Sequence, residues 1–259
     1  MPRFAANLSM LFTEVPFMER FALARAAGFQ GVEYLFPYEW PKQELSRALE
    51  ENSLTQVLFN LPPGDWDAGE RGIACLPDRV EEFRSGVELA LEYASVLDCR
   101  RLNCLAGLKP ADLDEDLAWQ TLADNVSWAA GRLAESGITL CLEAINSRVD
   151  MPGFVLDTSA RVMALIESLD ADNVRLQYDL YHMQIMEGDL IRTLECLLPW
   201  IGHIQFADNP GRHEPGTGEI HFPNVFAAID SLDYEGWVSA EYRPSDTTVT
   251  SLGWMRARS

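Results

Sequence analysis

Four oxygen-bearing side chains stand late in four strand-like segments in the second half of this chain. They are Glu143, Asp179, Gln205 and Glu241, and successive members are roughly 30 residues apart, about one strand-plus-helix unit of an eight-fold barrel. Three carboxylates and one amide oxygen are hard ligands, which suit Mg²⁺ or Mn²⁺ better than Zn²⁺. A cation would also relieve the like-charge repulsion that raises the pKa values of neighbouring carboxyl groups. We therefore expect a divalent metal site; the alternative is four separate rim residues or salt-bridge partners.

Two further side chains near these strand ends are suited to binding a small anion. His182 follows Asp179 by three residues, on what we expect to be a loop of the same face, although an isolated histidine is often a surface or core residue. Arg212 stands in a turn-rich segment after the seventh strand, where its guanidinium could clamp a substrate carboxylate. The alternative for Arg212 is an ion pair with Glu214 or Glu219.

The longest segment without predicted helix or strand follows the third strand, at residues 62–73. A loop of this length in a barrel is typically a lid or a binding loop. Trp66 is expected to cap the pocket, and Arg71 is a second candidate for contacting the substrate anion. The same loop could instead pack against another subunit, so a homo-oligomer stays open.

Strand-like and helix-like patterns alternate along the chain and must position these residues. The predicted strands cover residues 3–7, 31–35, 55–61, 101–105, 139–146, 174–179, 202–207 and 236–242. The clear helical patterns cover residues 16–27, 77–97, 115–136, 158–169, 189–198 and 224–232. Eight alternating units predict an α/β fold, a single (β/α)8 TIM barrel over residues 1–259. An open doubly wound sheet is disfavoured because no Gly-x-Gly-x-x-Gly turn follows the first strand.

Composition narrows the function classes. Forty acidic and twenty basic residues give a net charge of −20, which opposes nucleic acid as a partner. No run of about 20 apolar residues predicts a membrane span, and the start lacks the apolar core of a signal peptide. Five cysteines without a Cys-x-x-Cys pair favour reduced thiols and a cytoplasmic location.

Several stretches carry a resemblance to a known family. The most specific are Asn-Leu-Pro-Pro-Gly-Asp-Trp at 60–66, Gly-Glu-Arg-Gly-Ile-Ala-Cys at 69–75, Gln-Tyr-Asp-Leu-Tyr-His-Met-Gln at 177–184 and Glu-Pro-Gly-Thr-Gly-Glu-Ile at 214–220. With these the chain resembles the hydroxypyruvate isomerase family of the xylose-isomerase-like barrel superfamily, nearly end to end. The resemblance implies that Glu143 and Glu241 are the acid/base pair and bind metal together with Asp179 and Gln205. It also implies that His182 contacts substrate, as in related epimerases.

The chain departs from the family pattern beside the first of these glutamates. It reads Glu-Ala-Ile-Asn at residues 143–146 where the family usually has Glu-Pro-Ile-Asn, and residues 147–149 differ as well. Because these positions lie on the active-site face, the departures bear on substrate choice more than on the type of reaction.

The implied reaction interconverts hydroxypyruvate and 2-hydroxy-3-oxopropanoate through an enediolate, by proton transfer or by a hydride shift. A 2-oxotetronate isomerase and a ketose 3-epimerase acting on a neutral sugar are open alternatives. An apurinic endonuclease is disfavoured by the charge and by a total of four histidines. A non-catalytic sugar-binding barrel would not need a paired acid and base.

Overall fold

Eight short parallel strands close into a barrel in the computed structural model, which describes residues 2–256. Each strand pairs with its neighbours in chain order, and β1 closes the barrel against β8. The strands are β1 Arg3–Asn7, β2 Gly31–Glu33, β3 Thr55–Asn60, β4 Arg101–Cys104, β5 Thr139–Glu143, β6 Val174–Asp179, β7 Ile201–Phe206 and β8 Trp237–Ala240. The predicted TIM barrel is confirmed, and the predicted strands all appear, shortened at some ends.

Helices follow the strands and cover the outside of the barrel. They are α1 Arg20–Ala26, α2 Lys42–Glu51, α3 Val80–Leu97, α4 Glu115–Ala134, α5 Ser159–Ser168, α6 Leu180–Met186, α7 Leu190–Leu197, α8 Phe222–Ser231, α9 Thr248–Ser251 and α10 Gly253–Arg256. Short 3-10 turns cover Phe17–Glu19, Pro77–Arg79 and Leu198–Trp200. None of the helices within residues 2–256 combines the length and apolar character of a membrane-spanning segment.

Local sequence explains where the long helices begin and which side they bury. Asp114 precedes α4 and its side chain accepts a hydrogen bond from the Leu117 amide, while Thr158 does the same for Arg161 at the start of α5. Such caps satisfy amides that lack an intrahelical partner. The buried residues of α4 include Leu122, Val126 and others at three- and four-residue spacing, so one face of the helix packs on the barrel.

Four of the described helices were absent from the sequence-based prediction: α2, α6 and the two four-residue helices α9 and α10. Helix α2 has a strongly charged sequence, but its buried residues Leu45, Ala48 and Leu49 keep helical spacing. Helix α6 begins directly after β6, so His182 lies in a helix and not in the expected loop. All five cysteines are free thiols, and Cys196 is exposed while the other four are buried.

Strand register determines which polar side chains meet at the carboxyl ends of the strands. Glu143 of β5 is paired with Gln177 of β6, and Asp179 of β6 is paired with Gln205 of β7. On the other side of the barrel, Asn7 at the end of β1 is paired with Glu33 at the end of β2. These polar ends form one continuous rim, the face where TIM-barrel enzymes carry their active sites.

Candidate active site

A small cavity at the carboxyl ends of the strands brings together six of the side chains singled out from the sequence. The cavity has a volume of about 180 Å³. Its lining includes Glu143, Glu241, His182, Arg212, Arg71 and Trp66. A larger groove of about 840 Å³ lies elsewhere, along α8 and the loop before it, and contains none of these side chains. The small cavity is therefore the candidate site.

The four predicted metal ligands are all buried beside this cavity. Glu143 is the last residue of β5 and Asp179 the last of β6, while Gln205 lies within β7 and Glu241 directly follows β8. Their exposed fractions are 5%, 0%, 2% and 3% respectively. Because burial disfavours the charged form, so many carboxyl groups at one place require compensating charge.

Arg212 supplies part of that charge. One terminal nitrogen, Nη2, lies 2.5 Å from Glu241 Oε2 and 3.9 Å from Asp179 Oδ2. Among residues 2–256, Arg212 forms no ion pair with Glu214 or Glu219, the alternative that the sequence left open. Glu214 instead accepts hydrogen bonds from Ser245. Burial by itself would lower the pKa of Arg212, but the carboxylates of Glu241 and Asp179 raise it above its ordinary value. Arg212 is thus a fixed cation inside the carboxylate cluster.

Glu143, Asp179 and Glu241 have pKa values raised above the ordinary range for carboxyl groups. Burial is the largest cause for all three. Glu241 and Asp179 add to the rise for Glu143, whose pKa lies well above its usual value. For Glu241, burial raises the pKa to about 8 although Arg212 opposes the rise. Two carboxyl groups with raised pKa in a small cavity are the arrangement expected of an acid/base pair.

His182 is held as a neutral imidazole beside these carboxyl groups. Its Nδ1 lies 2.7 Å from the amide nitrogen of Asn146, whose amide oxygen accepts bonds from the backbone N–H groups of Val149 and Asp150. An amide nitrogen only donates, so Nδ1 must accept and the imidazole proton lies on Nε2. That Nε2 is 3.8 Å from Glu143 Oε1 and 3.7 Å from Asp179 Oδ2. Burial, and then Arg212, lower the pKa of His182 well below its usual value.

The donor set fits a divalent cation. Ligand atoms of Glu143, Asp179 and His182 all lie within 4.8 Å of one another. Asp179 Oδ1 accepts bonds from two amides at the start of α6, whereas the buried Oδ2 has no hydrogen-bond partner among the described residues. A buried carboxylate oxygen left without a donor is costly unless a cation takes that place. His182 was predicted as a substrate contact, and its Nε2 lies beside both carboxylates; because that nitrogen carries the proton, it fits a donor to substrate better than a metal ligand.

The Gln205 amide turns its nitrogen towards the carboxyl groups, whereas a metal ligand would need its oxygen there. Its nitrogen donates to Glu33 Oε1 at 2.7 Å and to Glu241 Oε1 at 3.1 Å, while its oxygen accepts from Gln177 Nε2 at 2.5 Å. Coordination through oxygen therefore requires the Gln205 amide to rotate by half a turn. Gln177 Oε1 is a buried oxygen without a partner, so a matching rotation of Gln177 would preserve the bond between the two amides.

Glu143 and Glu241 also accept hydrogen bonds from buried residues that were not predicted from the sequence. The Asn7 amide nitrogen donates to Glu33 at 3.0 Å and to Glu241 at 2.9 Å. Glu33 Oε2 in turn lies 2.7 Å from His203 Nε2. Asn103 donates to Glu143 Oε2 at 3.1 Å. Asn7 and Glu33 end their strands, so the strand-end rule applied to the first half of the chain would have identified them.

The segment at 62–73 covers one side of the cavity without forming a helix or strand. The Arg71 guanidinium lies 4.0 Å from the centre of the Trp66 ring, and its Nη1 donates to the backbone oxygens of Trp66 and Glu70. The Trp66 ring also meets Phe36 edge-on, with 5.0 Å between ring centres. Both predicted lid side chains therefore reach the cavity as one stacked unit.

Comparison with known proteins identifies the family of this chain. Residues 21–258 match the model of the xylose isomerase-like TIM barrel family. The chain is 48% identical to hydroxypyruvate isomerase of Escherichia coli K12 over 255 residues, covering 98% of each protein. It is also 48% identical to a 2-oxo-tetronate isomerase of Cupriavidus necator, covering 99% of this chain and 98% of that protein.

A solved structure from Brucella melitensis, described as an AP endonuclease of family 2, superposes with a TM-score of 0.97 at 46% identity and covers 100% of this chain and 99% of that one. The family model and the two isomerase relatives confirm the family predicted from the stretches at 60–66, 69–75, 177–184 and 214–220. This protein belongs to the xylose isomerase-like TIM-barrel family, within its group of hydroxypyruvate and 2-oxo-tetronate isomerases.

Proposed function

We propose that this protein interconverts hydroxypyruvate and 2-hydroxy-3-oxopropanoate, with Mg²⁺ or Mn²⁺ as cofactor. The observation that carries the proposal is the placement of two buried glutamates with raised pKa values, Glu143 and Glu241, in the lining of one cavity of about 180 Å³. Aldose–ketose isomerisation needs one group to remove a proton beside a carbonyl and another to return it. The name of the Escherichia coli relative supports the choice of substrate.

The cation would be held by Glu143, Asp179, Gln205 and Glu241, with the Gln205 amide rotated. When bound, it supplies Lewis-acid stabilisation of the negative charge that develops on the substrate oxygens. His182 is placed to donate its Nε2 proton to a substrate oxygen, because its Nδ1 is already bonded to Asn146. Arg212 keeps Glu241 oriented through the contact at Oε2.

The two glutamates are proposed to divide the proton transfer. Glu241, whose charge is paired with Arg212, takes a proton from the carbon that carries the hydroxyl group, leaving an enediolate. Glu143, whose pKa lies well above the usual range, gives a proton to the former carbonyl carbon. Glu241 then releases the proton it took and Glu143 regains one, both by exchange with solvent, which restores the starting state. The hydroxyl proton moves between the two substrate oxygens, so the product is an isomer with no net gain or loss of atoms.

Glutamine substitutions test this division. Glu241→Gln is expected to lose isomerisation together with exchange of the substrate proton for solvent deuterium. Glu143→Gln is expected to lose isomerisation by at least about 100-fold while it still exchanges the proton. Proton NMR of hydroxypyruvate in D₂O measures both reactions. Glu187→Gln is the control, because Glu187 contacts Ser159 at the start of α5 and lies outside the cavity.

Near wild-type isomerisation by either glutamate variant would contradict the two-carboxylate mechanism. Product that carries no solvent deuterium with the unmodified enzyme would favour a hydride shift between the carbons. Removal of metal with EDTA should abolish turnover, and Mg²⁺ or Mn²⁺ should restore it.

A 2-oxotetronate is the second candidate substrate, because the Cupriavidus necator relative of equal identity is named for it. The same chemistry would act on an acid that is one carbon longer. The ratio of kcat/KM for hydroxypyruvate and 2-oxotetronates decides between them, and a ketohexose assayed alongside tests the 3-epimerase alternative. A higher kcat/KM for the neutral ketohexose than for either acid would favour the 3-epimerase function instead.

A further inference from the structure

Arg243 is a third arginine in the lining of the active-site cavity, beside Arg71 and Arg212. It was not among the residues selected from the sequence. Arg243 is exposed at the mouth of the cavity. Among residues 2–256, its guanidinium makes no hydrogen bond or ion pair. The cavity thus contains one cation whose donors are all available.

The other two arginines are already engaged. Arg212 contacts Glu241 and Asp179, and its side chain is only 12% exposed. Arg71 uses Nη1 for two backbone oxygens and lies against the Trp66 ring. Arg212 makes these contacts through Nη2 and keeps a buried Nε without a hydrogen-bond partner, and Arg71 makes its hydrogen bonds through Nη1 alone. Both therefore retain donors, but the charge of Arg212 is already shared by two carboxylates and Arg71 is tied to the 62–73 segment.

The backbone fixes Arg243 next to the reacting groups. Arg243 lies two residues after Glu241, and its N–H donates to the backbone oxygen of Arg212 at 2.8 Å. Its own backbone oxygen accepts from His213 Nδ1 at 2.7 Å. Arg243 and Glu241 line the same cavity, on the segment that directly follows β8.

We propose that Arg243 binds the carboxylate of the substrate and thereby selects 2-oxo acids over neutral ketoses. The inference rests on the proposed function and extends it to substrate selection. An anion that enters this cavity meets the carboxyl groups of Glu143, Asp150 and Glu241, in a protein of net charge −20. A guanidinium with free donors at the mouth offsets that field where the substrate enters, and it matches the planar geometry of a carboxylate.

The test compares Arg243→Gln and Arg243→Lys with the unmodified enzyme. Arg243→Gln should raise KM for hydroxypyruvate at least tenfold and leave kcat within about twofold, since the group binds but does not react. Arg243→Lys should recover most of the loss, and inhibition by neutral dihydroxyacetone should not change. Arg192→Gln is the control for removing one positive charge, because Arg192 lies in α7 and pairs with Asp189.

A binding measurement separates this inference from the proposed reaction. Calorimetry with D-glycerate, a three-carbon hydroxy acid without the reactive carbonyl, should give a Kd that rises at least tenfold in Arg243→Gln. If the unmodified enzyme does not turn over hydroxypyruvate, the proposed reaction is refuted. Carboxylate binding by Arg243 would still be supported if Arg243→Gln loses glycerate binding. An unchanged Kd and KM in Arg243→Gln, or an equal loss for acid and neutral ligands, would overturn the role of Arg243. So would a tenfold effect confined to Arg71→Gln.

Discussion

At the scale of single residues, the site consists of buried carboxyl groups whose ionisation depends on the few hydrogen-bond donors that contact them. Glu33 illustrates this, because it is fully buried and has no place in the predicted metal set. Burial opposes its ionisation, yet His203, Gln205 and other donors hold its pKa below the ordinary value. Its Oε1 shares the amide hydrogens of Asn7 and Gln205 with Glu241 Oε1. Glu33 therefore shares donors with Glu241, the proposed base, although it does not line the cavity.

Substitution of Glu33 by glutamine tests this positioning role. The isosteric amide keeps the volume but can bring a donor to face the Asn7 amide nitrogen, which also donates to Glu241, so Glu241 loses its fixed orientation. Outer contacts of this kind are typically worth about 10–100-fold in activity or metal affinity. We expect a fall of that size in kcat or in Mn²⁺ affinity, with KM for substrate changed little.

Steady-state kinetics and Mn²⁺ titration monitored by electron paramagnetic resonance measure the two effects of Glu33→Gln. Glu187→Gln serves as the matched control outside the site. Full activity and full Mn²⁺ affinity in a folded Glu33→Gln protein would contradict the positioning role.

At the scale of elements, two segments place the reactive groups. Helix α6 starts on Asp179, whose Oδ1 accepts from the amides of Tyr181 and His182, so the same carboxylate ends β6, begins the helix and faces the site. The segment at 62–73 is held differently, by Glu70 bonded to Arg79 at 2.7 Å and by the backbone contact of Gly72 with Pro63. Its shape depends on glycines with left-handed backbone angles.

Gly72 and Gly69 form a matched pair for testing how that segment positions Trp66 and Arg71. Both have positive φ, +105° at Gly72 and +97° at Gly69. A Cβ at Gly72 would lie 2.2 Å from the backbone oxygen of Leu105, whereas a Cβ at Gly69 would meet no atom within 4 Å. Gly69→Ala should cost only the backbone strain, about 1 kcal/mol, and Gly72→Ala about 1–3 kcal/mol more.

Urea unfolding measures these free energies, and kcat/KM measures the effect on the site. We expect kcat/KM to fall at least tenfold in Gly72→Ala and to stay within about threefold in Gly69→Ala, because only the first displaces the segment from β4. Equal effects of the two substitutions on stability and activity would show that contact with Leu105 does not position the segment.

At the scale of the whole molecule, the barrel concentrates buried carboxyl groups in a protein that is already strongly acidic, with a net charge of −20. Closure of the sheet brings Asn7 next to Glu241, which are 234 residues apart in sequence. The folded state therefore holds carboxyl groups whose proton affinity differs from that of the unfolded chain. Stability must then depend on pH and on metal.

The metal-free protein should lose stability as pH rises from about 5 to about 9. Burial raises the pKa of Glu241 to about 8 and that of Glu143 well above its usual value. The unfolded chain releases these protons near pH 4.3. The folded state thus binds more protons across this range, and the free energy of unfolding decreases with pH until these groups are ionised.

Mg²⁺ or Mn²⁺ should reverse this trend, because a cation binds the ionised carboxylates more tightly as pH rises. Thermal unfolding of EDTA-treated and metal-loaded protein between pH 5 and pH 9 measures both slopes. The double variant Glu143→Gln/Glu241→Gln should show a flatter profile and little stabilisation by metal. A pH-independent Tm of the metal-free unmodified protein over this range would contradict the raised pKa values.

The sequence by itself determined the eight strands, six of the helices that follow them and the rim position of Glu143, Asp179, Gln205 and Glu241. Those features follow from local patterning and from the rule that strand ends face one side of a barrel. It missed α6, because seven residues are too few for helical periodicity to be recognised. The tertiary structure alone decided that Arg212 pairs with Glu241, that the Gln205 amide faces Glu33, and that Arg243 lines the cavity. These pairings depend on strand register and on closure of β1 against β8, which join side chains far apart in sequence and leave no local pattern.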